Sequence, residues 1–153
     1  RDAADVRAAF DGIMANAKRH APDARIDGIV VQEMASGTVE LVVGLKRDPA
    51  FGPVVMAGLG GVFVEVLRDV AFRKCPVTEA EALAMLAELK GAAMLDGVRG
   101  APPVDRQAVA ELIAATSRLG AAMGERLAEL DLNPVLAGPD GAVAVDWLMV
   151  VED

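Results

Sequence analysis

Apolar positions recur at helical spacing near the start of the chain, where Val6, Ala9, Phe10, Ile13 and Ala17 share one side of a helix predicted over 2–20. Asp2 suits its N-cap, and Pro22-Asp23 ends it. The pattern then turns β-rich. Ile26–Met34 and Val39–Lys46 read as two strands joined into a hairpin by Ala35-Ser36-Gly37-Thr38. Val54–Ala57 follows breaks at Asp48-Pro49 and Gly52-Pro53, while Val62–Val66 and Val70–Arg73 follow the flexible turn Gly58-Leu59-Gly60-Gly61. Helical spacing returns twice. Thr78 and Glu81 are spaced as a capping box for a helix ending at Gly91, with Ala82, Met85, Leu86 and Leu89 as its stripe. Beyond a Gly- and Pro-rich loop over 96–103, Asp105 caps a helix carrying Val109, Leu112, Ile113 and Thr116 on one side. Strands over about 128–136 and 142–150 close the chain. This order predicts an α+β fold, a mainly antiparallel sheet flanked by helices, not a run of βαβ units.

The last two strands can be registered from sequence alone. With Gly138-Pro139-Asp140-Gly141 as a symmetric loop, facing residue numbers sum to 279. Leu130 then faces Met149, Leu132 faces Trp147 and Leu136 faces Val143, all on one side by the two-residue period. On the other side Val135 meets Ala144, Asn133 lies opposite Asp146, and Asp131 points the same way. Directly opposed side chains stand about 4.5–5.5 Å apart at Cβ. An amide oxygen and a carboxylate at that spacing can share a hard cation such as Mg²⁺, which also relieves the repulsion between Asp131 and Asp146. The residues alone leave a second reading open, in which this is an ordinary solvated strand face.

Composition narrows the function. The chain has 153 residues, 54% hydrophobic and 25% charged, enough for one domain with a real core. Four Phe, one Trp and no Tyr make that core aliphatic. No apolar run reaches the roughly 18–20 residues of a membrane helix. The net charge of −8, without a basic stripe, argues against nucleic acid as a partner. One cysteine, Cys75, cannot form an internal disulfide, and one His with one Cys cannot build a structural zinc site. Together with a charged opening stretch unlike a signal peptide, this leads us to expect a cytoplasmic protein. An opening without Met leads us to expect a piece of a longer polypeptide.

Glu129-Leu130-Asp131-Leu132-Asn133-Pro134-Val135, followed by Gly141–Asp146, resembles the terminal metal-binding hairpin of ATP-grasp enzymes. The resemblance is closest to the β-subunits of succinyl-CoA synthetases and ADP-forming acetyl-CoA synthetases. Val31-Gln32-Glu33-Met34, Gly37, Glu40, Gly44, Asp48-Pro49, Phe51-Gly52-Pro53 and Gly58–Gly61 match in order and spacing, as do Asp69–Arg73, Leu89-Lys90-Gly91 and Gly97–Gly100. It runs from about Ile26 to Val150. The resemblance implies the C-terminal subdomain of an ATP-grasp domain, so that residues 1–153 are a partial domain lacking its N-terminal subdomain and the CoA-binding domains. It implies ATP or ADP with Mg²⁺ as ligands, and the remaining CoA-binding and phosphohistidine domains of an NDP-forming acyl-CoA synthetase as partners. A homo-oligomer is compatible with it.

The family's metal-holding roles map onto Asn133 and Asp146, with Asp131 where Glu is common. Gln32, Glu33 and Met34 correspond to the adenine hinge, Glu40 to a ribose- or metal-facing position, and Gly60 and Gly61 to a turn that approaches phosphate. Glu65 falls where related synthetases place an acidic residue near the phosphoryl path. Lys46, Arg47, Arg73 and Arg99 are candidate phosphate-neutralising cations, whereas His20 and Cys75 match no catalytic motif. The expected parent reaction is acyl-CoA + NDP + phosphate ⇌ acid + CoA + NTP, with the isolated piece inactive. Two alternatives stay open, a regulatory half of a protein acetyltransferase and a non-catalytic assembly module.

Overall fold

The computed structural model describes residues 2–61, 68–98 and 100–152. Contacts divide the chain into two compact units, Arg1–Met34 and Ala35–Asp153. In the first, helix α1 spans Ala3–His20. Its cap is reciprocal: the Asp2 carboxylate accepts from the N–H groups of Ala4 and Asp5 at 2.8 and 3.1 Å, and the Asp5 carboxylate accepts from the Asp2 N–H. Lys18, Arg19 and His20 occupy the last turn, where cations favour the helix dipole. The expected apolar stripe is present, but no residue of α1 is buried. A unit of this size has too little apolar surface to enclose a core of its own.

The second unit contains the sheet. Its strands are β1 (Val39–Asp48), β2 (Gly52–Leu59), β3 (Val70–Lys74), β4 (Leu127–Gly138), β5 (Gly141–Ala144) and β6 (Trp147–Val151), and its helices are α2 (Glu79–Glu88) and α3 (Arg106–Met123). The order is β3-β2-β1-β4, antiparallel throughout, with β5 and β6 following one another along the outer edge of β4. Leu41, Val43 and Leu45 of β1 and Val55, Ala57 and Leu59 of β2 alternate inward, as the two-residue period requires. They meet Met85 and Leu86 of α2 and Val109 and Ile113 of α3 in one aliphatic core. Each such Val, Leu, Ile or Met side chain contributes about 1.5–3 kcal/mol through burial.

The structure departs from the sequence reading in four places. Residues 24–34 form no strand, so the hairpin expected between Ile26–Met34 and Val39–Lys46 is not there. Both edges of β1 are taken, by β2 and by β4, and a strand without a ladder partner leaves its backbone groups unsatisfied. The helix expected to reach Gly91 stops at Glu88. Buried Asp69, just before β3, accepts from the N–H groups of Lys90 and Gly91, each at 2.8 Å. Those donors would otherwise continue the helical ladder.

The third departure is at β4, where Val135 and Ala137 are buried in the same core as Leu130 instead of on the opposite face. Three steps along β4, from Leu132 to Val135, match two along β1, from Val43 to Leu41. That bulge at Asn133-Pro134 exchanges the faces beyond it, so Leu136 does not share a side with Leu130. The fourth is a break at Val145-Asp146, which splits the final strand into β5 and β6. Pro134 has no N–H to donate across the ladder at that level. The strand expected over Val62–Val66 lies outside the described residues.

The capping box at Thr78 and Glu81 is present, and the Glu81 carboxyl lies below its usual range, held first by the Thr78 N–H and then by the Thr78 hydroxyl. Asp105 caps α3 by accepting from the Ala108 N–H at 3.0 Å, and its own N–H donates to the Gly138 carbonyl at 2.8 Å, tying the helix start to the β4–β5 turn.

Candidate nucleotide and metal site

The face of the sheet turned away from α2 and α3 carries the candidate chemistry. Val42, Gly44 and Lys46 of β1, Val54 and Met56 of β2, Phe72 of β3, and Glu129, Asp131 and Asn133 of β4 line a groove of about 330 Å³. The register explains the assembly, because Gly44 pairs with Met56 on one side and Asp131 on the other, and Met56 pairs with Phe72. Gly44 leaves the centre of the floor open. The result is an apolar floor with oxygen donors along one wall.

The predicted hairpin register holds on both sides of the break: Leu136 pairs with Val143, Val135 with Ala144, Leu132 with Trp147 and Leu130 with Met149. At the break, the Asn133 N–H donates to the Asp146 carbonyl at 3.2 Å and the Val145 N–H to the Pro134 carbonyl at 3.1 Å. Asn133 and Asp146 are therefore backbone neighbours, as the register predicted. Asp146 Oδ1 accepts from the Trp147 N–H at 2.8 Å, which fixes that side chain beside its own backbone. The side chains of Asp131 and Asn133 have no hydrogen-bond or ion-pair partner among the described residues. Asp131 is half-buried, where an uncompensated carboxylate is costly. Among the described residues no three His, Cys, Asp or Glu side chains gather into an all-protein metal cage.

Glu40 sits on β1 opposite Leu136. Its carbonyl accepts from the Gly60 N–H at 2.7 Å, so the glycine turn lies against it. A Cβ at Gly60 would stand 3.1 Å from the Glu40 carbonyl oxygen, and one at Gly61, where φ is +62°, 3.6 Å from Glu40 Oε2. The two glycines permit that close approach. Gln32, Glu33 and Met34 are exposed in the irregular segment of the first unit. Glu65 and Arg99 lie outside the described residues.

The candidate cations separate by face. Arg47 bonds the Glu125 carbonyl and pairs with Glu152. Arg73 pairs with Glu88, whose hydrogen bond raises the guanidinium pKa further. Of the candidate cations among the described residues, Lys46 alone lines the groove. Cys75 is buried, and burial pushes its thiol up to about 11 against a weaker opposing bond from Val55, the reverse of an activated nucleophile. Sequence reasoning missed the floor residues Met56 and Phe72, although they alternate with the inward set. It also missed the role of Asp69, whose partners stand 21 and 22 residues away.

Strand order, α2 and α3 on one face and oxygen donors on the other give the architecture of an ATP-grasp half. The chain belongs to the ATP-grasp domain family, whose profile matches residues 1–151. It is 47% identical over 147 residues to an acetate–CoA ligase (ADP-forming) I of Archaeoglobus fulgidus, covering 96% of this chain and 21% of that protein. It is 44% identical over 147 residues to the β subunit of an acetate–CoA ligase (ADP-forming) I of Pyrococcus furiosus, covering 96% of this chain and 63% of that subunit. Among solved structures, the dinucleotide-forming acetyl-coenzyme A synthetase 1 of Ca. Korarchaeum cryptofilum, in complex with coenzyme A and Ca-AMPCP, superposes with a TM-score of 0.89 at 47% identity. That match covers 99% of this chain and 66% of the other. The chain thus spans about a fifth of the single-chain ligase and under two thirds of the separate subunit. Among the described residues no helix is long and apolar enough to cross a membrane.

Proposed function

We propose that this chain forms one wall of the nucleotide and divalent-metal site of an ADP-forming acyl-CoA synthetase, a partial ATP-grasp domain working with CoA-binding and phosphohistidine domains of its parent. The observation that carries the reading is the pairing of Asn133 with Asp146 beside Asp131, half-buried and without a partner among the described residues. Carboxylate and amide oxygens suit a hard cation, and an incomplete protein shell leaves positions for water and phosphate, which is the habit of Mg²⁺. Bound there, Mg²⁺ would offset charge on the phosphate oxygens.

The chain's own residues supply the rest. Asn133 and Asp146 fix the position of the phosphates relative to the sheet, and Asp131 holds the same edge. Glu40 and the Gly60-Gly61 turn lie together beside β1, where the ribose and phosphates would pass. Family resemblance assigns the adenine contact to Gln32, Glu33 and Met34 and the phosphoryl path to Glu65. The apolar floor excludes water beneath the nucleotide, which strengthens each electrostatic contact above it. The parent would interconvert acyl-CoA, ADP and phosphate with acid, CoA and ATP through acyl phosphate and phosphohistidine intermediates, in the cytoplasm.

The reading is tested by replacing Asn133→Ala and Asp146→Asn in the intact protein and following CoA- and acid-dependent ATP turnover. Loss of turnover with an unchanged thermal midpoint supports it. Full activity in the double variant overturns it.

A further inference from the structure

Of the side chains lining the groove, Lys46 is the cation no carboxylate has claimed. It stands on β1 with Val54 and Glu129 as its cross-strand neighbours, two positions beyond Gly44 and Asp131. Glu129 faces it directly, yet Lys46 makes no hydrogen bond or ion pair among the described residues. Arg47, the next residue, points to the other face and is spent on Glu125 and Glu152. Arg73 is spent on Glu88.

Two strand positions span about 6.6–6.8 Å. A lysine's flexible four-carbon stem covers that distance. Its path runs over Gly44, where even a Cβ would come no closer than 3.4 Å to the Leu130 carbonyl oxygen and 3.5 Å to Met56 Cε. The ammonium can therefore reach a ligand held at Asp131 and Asn133 without displacing the floor. Charge favours such a contact. A nucleoside triphosphate remains negative after one divalent cation, and Glu129 and Asp131 on the same wall repel it. A further cation offsets that charge, and among the described residues lining the groove Lys46 is the one in place.

We infer that Lys46 binds the terminal phosphates of the nucleotide from the end of the groove opposite the hairpin break. This rests on the nucleotide-site reading above. The test is isothermal titration of Mg-ATP into the intact protein, comparing wild type, Lys46→Met and Lys46→Arg across a range of salt concentrations. Losing one charge-assisted contact should weaken binding about tenfold in the Met variant. It should also flatten the salt dependence and leave the ligand-free thermal midpoint unchanged. The Arg variant should recover most of the affinity. Unchanged affinity in Lys46→Met, or a loss with unaltered salt dependence, overturns the role of Lys46 and leaves the nucleotide site standing. A wild-type protein that does not bind Mg-ATP overturns both.

Discussion

The Asn133 N–H donates to the carbonyl oxygen of Asp146 at 3.2 Å, across the point where β5 gives way to β6. This bond holds the two residues in register while Pro134 interrupts the ladder around them. Replacing Asn133 by Ala keeps the backbone bond and removes the whole side-chain carboxamide, its oxygen included. The Mg²⁺ concentration giving half-maximal nucleotide binding should then rise about tenfold or more, about 1.4 kcal/mol. Thermal stability should stay within about 0.5 kcal/mol of wild type, as for surface substitutions generally. A metal titration alongside a thermal melt checks both.

Asp69 carries a structural load independent of any ligand. Its two carboxylate oxygens accept from Lys90 and Gly91 inside the fold. Asp69→Ala orphans both donors, at about 1–3 kcal/mol for each unsatisfied group. We expect a loss of about 2–6 kcal/mol in a urea melt. A loss under about 0.5 kcal/mol would show that water replaces the carboxylate.

Cys75 should resist alkylation in the native protein at neutral pH and react fully once unfolded. Its thiol is pushed up to about 11 from an ordinary 9.0 by burial. The folded state thus holds the proton more tightly than the unfolded chain does. The stability this group contributes is complete below pH 9 and is lost as pH rises towards 11. Cys75→Ser should alter that alkaline limb of the stability curve, which denaturant melts between pH 8 and 11 would record.

Expressed by itself, the 153-residue chain should turn over no ATP and bind Mg-ATP weakly, since the described residues supply one wall of a groove and one unclaimed lysine. Isothermal titration that returned a sub-micromolar dissociation constant would contradict this.

Much of this arrangement was legible before any coordinates. The Asp2 and Asp105 caps, the capping box at Thr78 and the buried stripes of α2 and α3 follow from local chemistry, which acts over three or four residues. The hairpin register was equally accessible, because a tight turn sets the pairing of the strands it joins. That is how Asn133 and Asp146 came to face each other on paper. What the sequence could not decide depends on a neighbour distant in the chain. The bulge that buries Val135 beside Leu130 exists only because β1 counts two residues where β4 counts three. The run 26–34 has strand-forming residues but no free edge of β1 to pair with. Lys46, Arg47 and Arg73 look alike along the chain, and only the pleat and the positions of Glu152 and Glu88 turn two of them away and leave Lys46 in the groove. Short-range hydrogen bonding and side-chain periodicity are written in the sequence, whereas the face a charged residue presents is settled by strand partners assembled from across the fold.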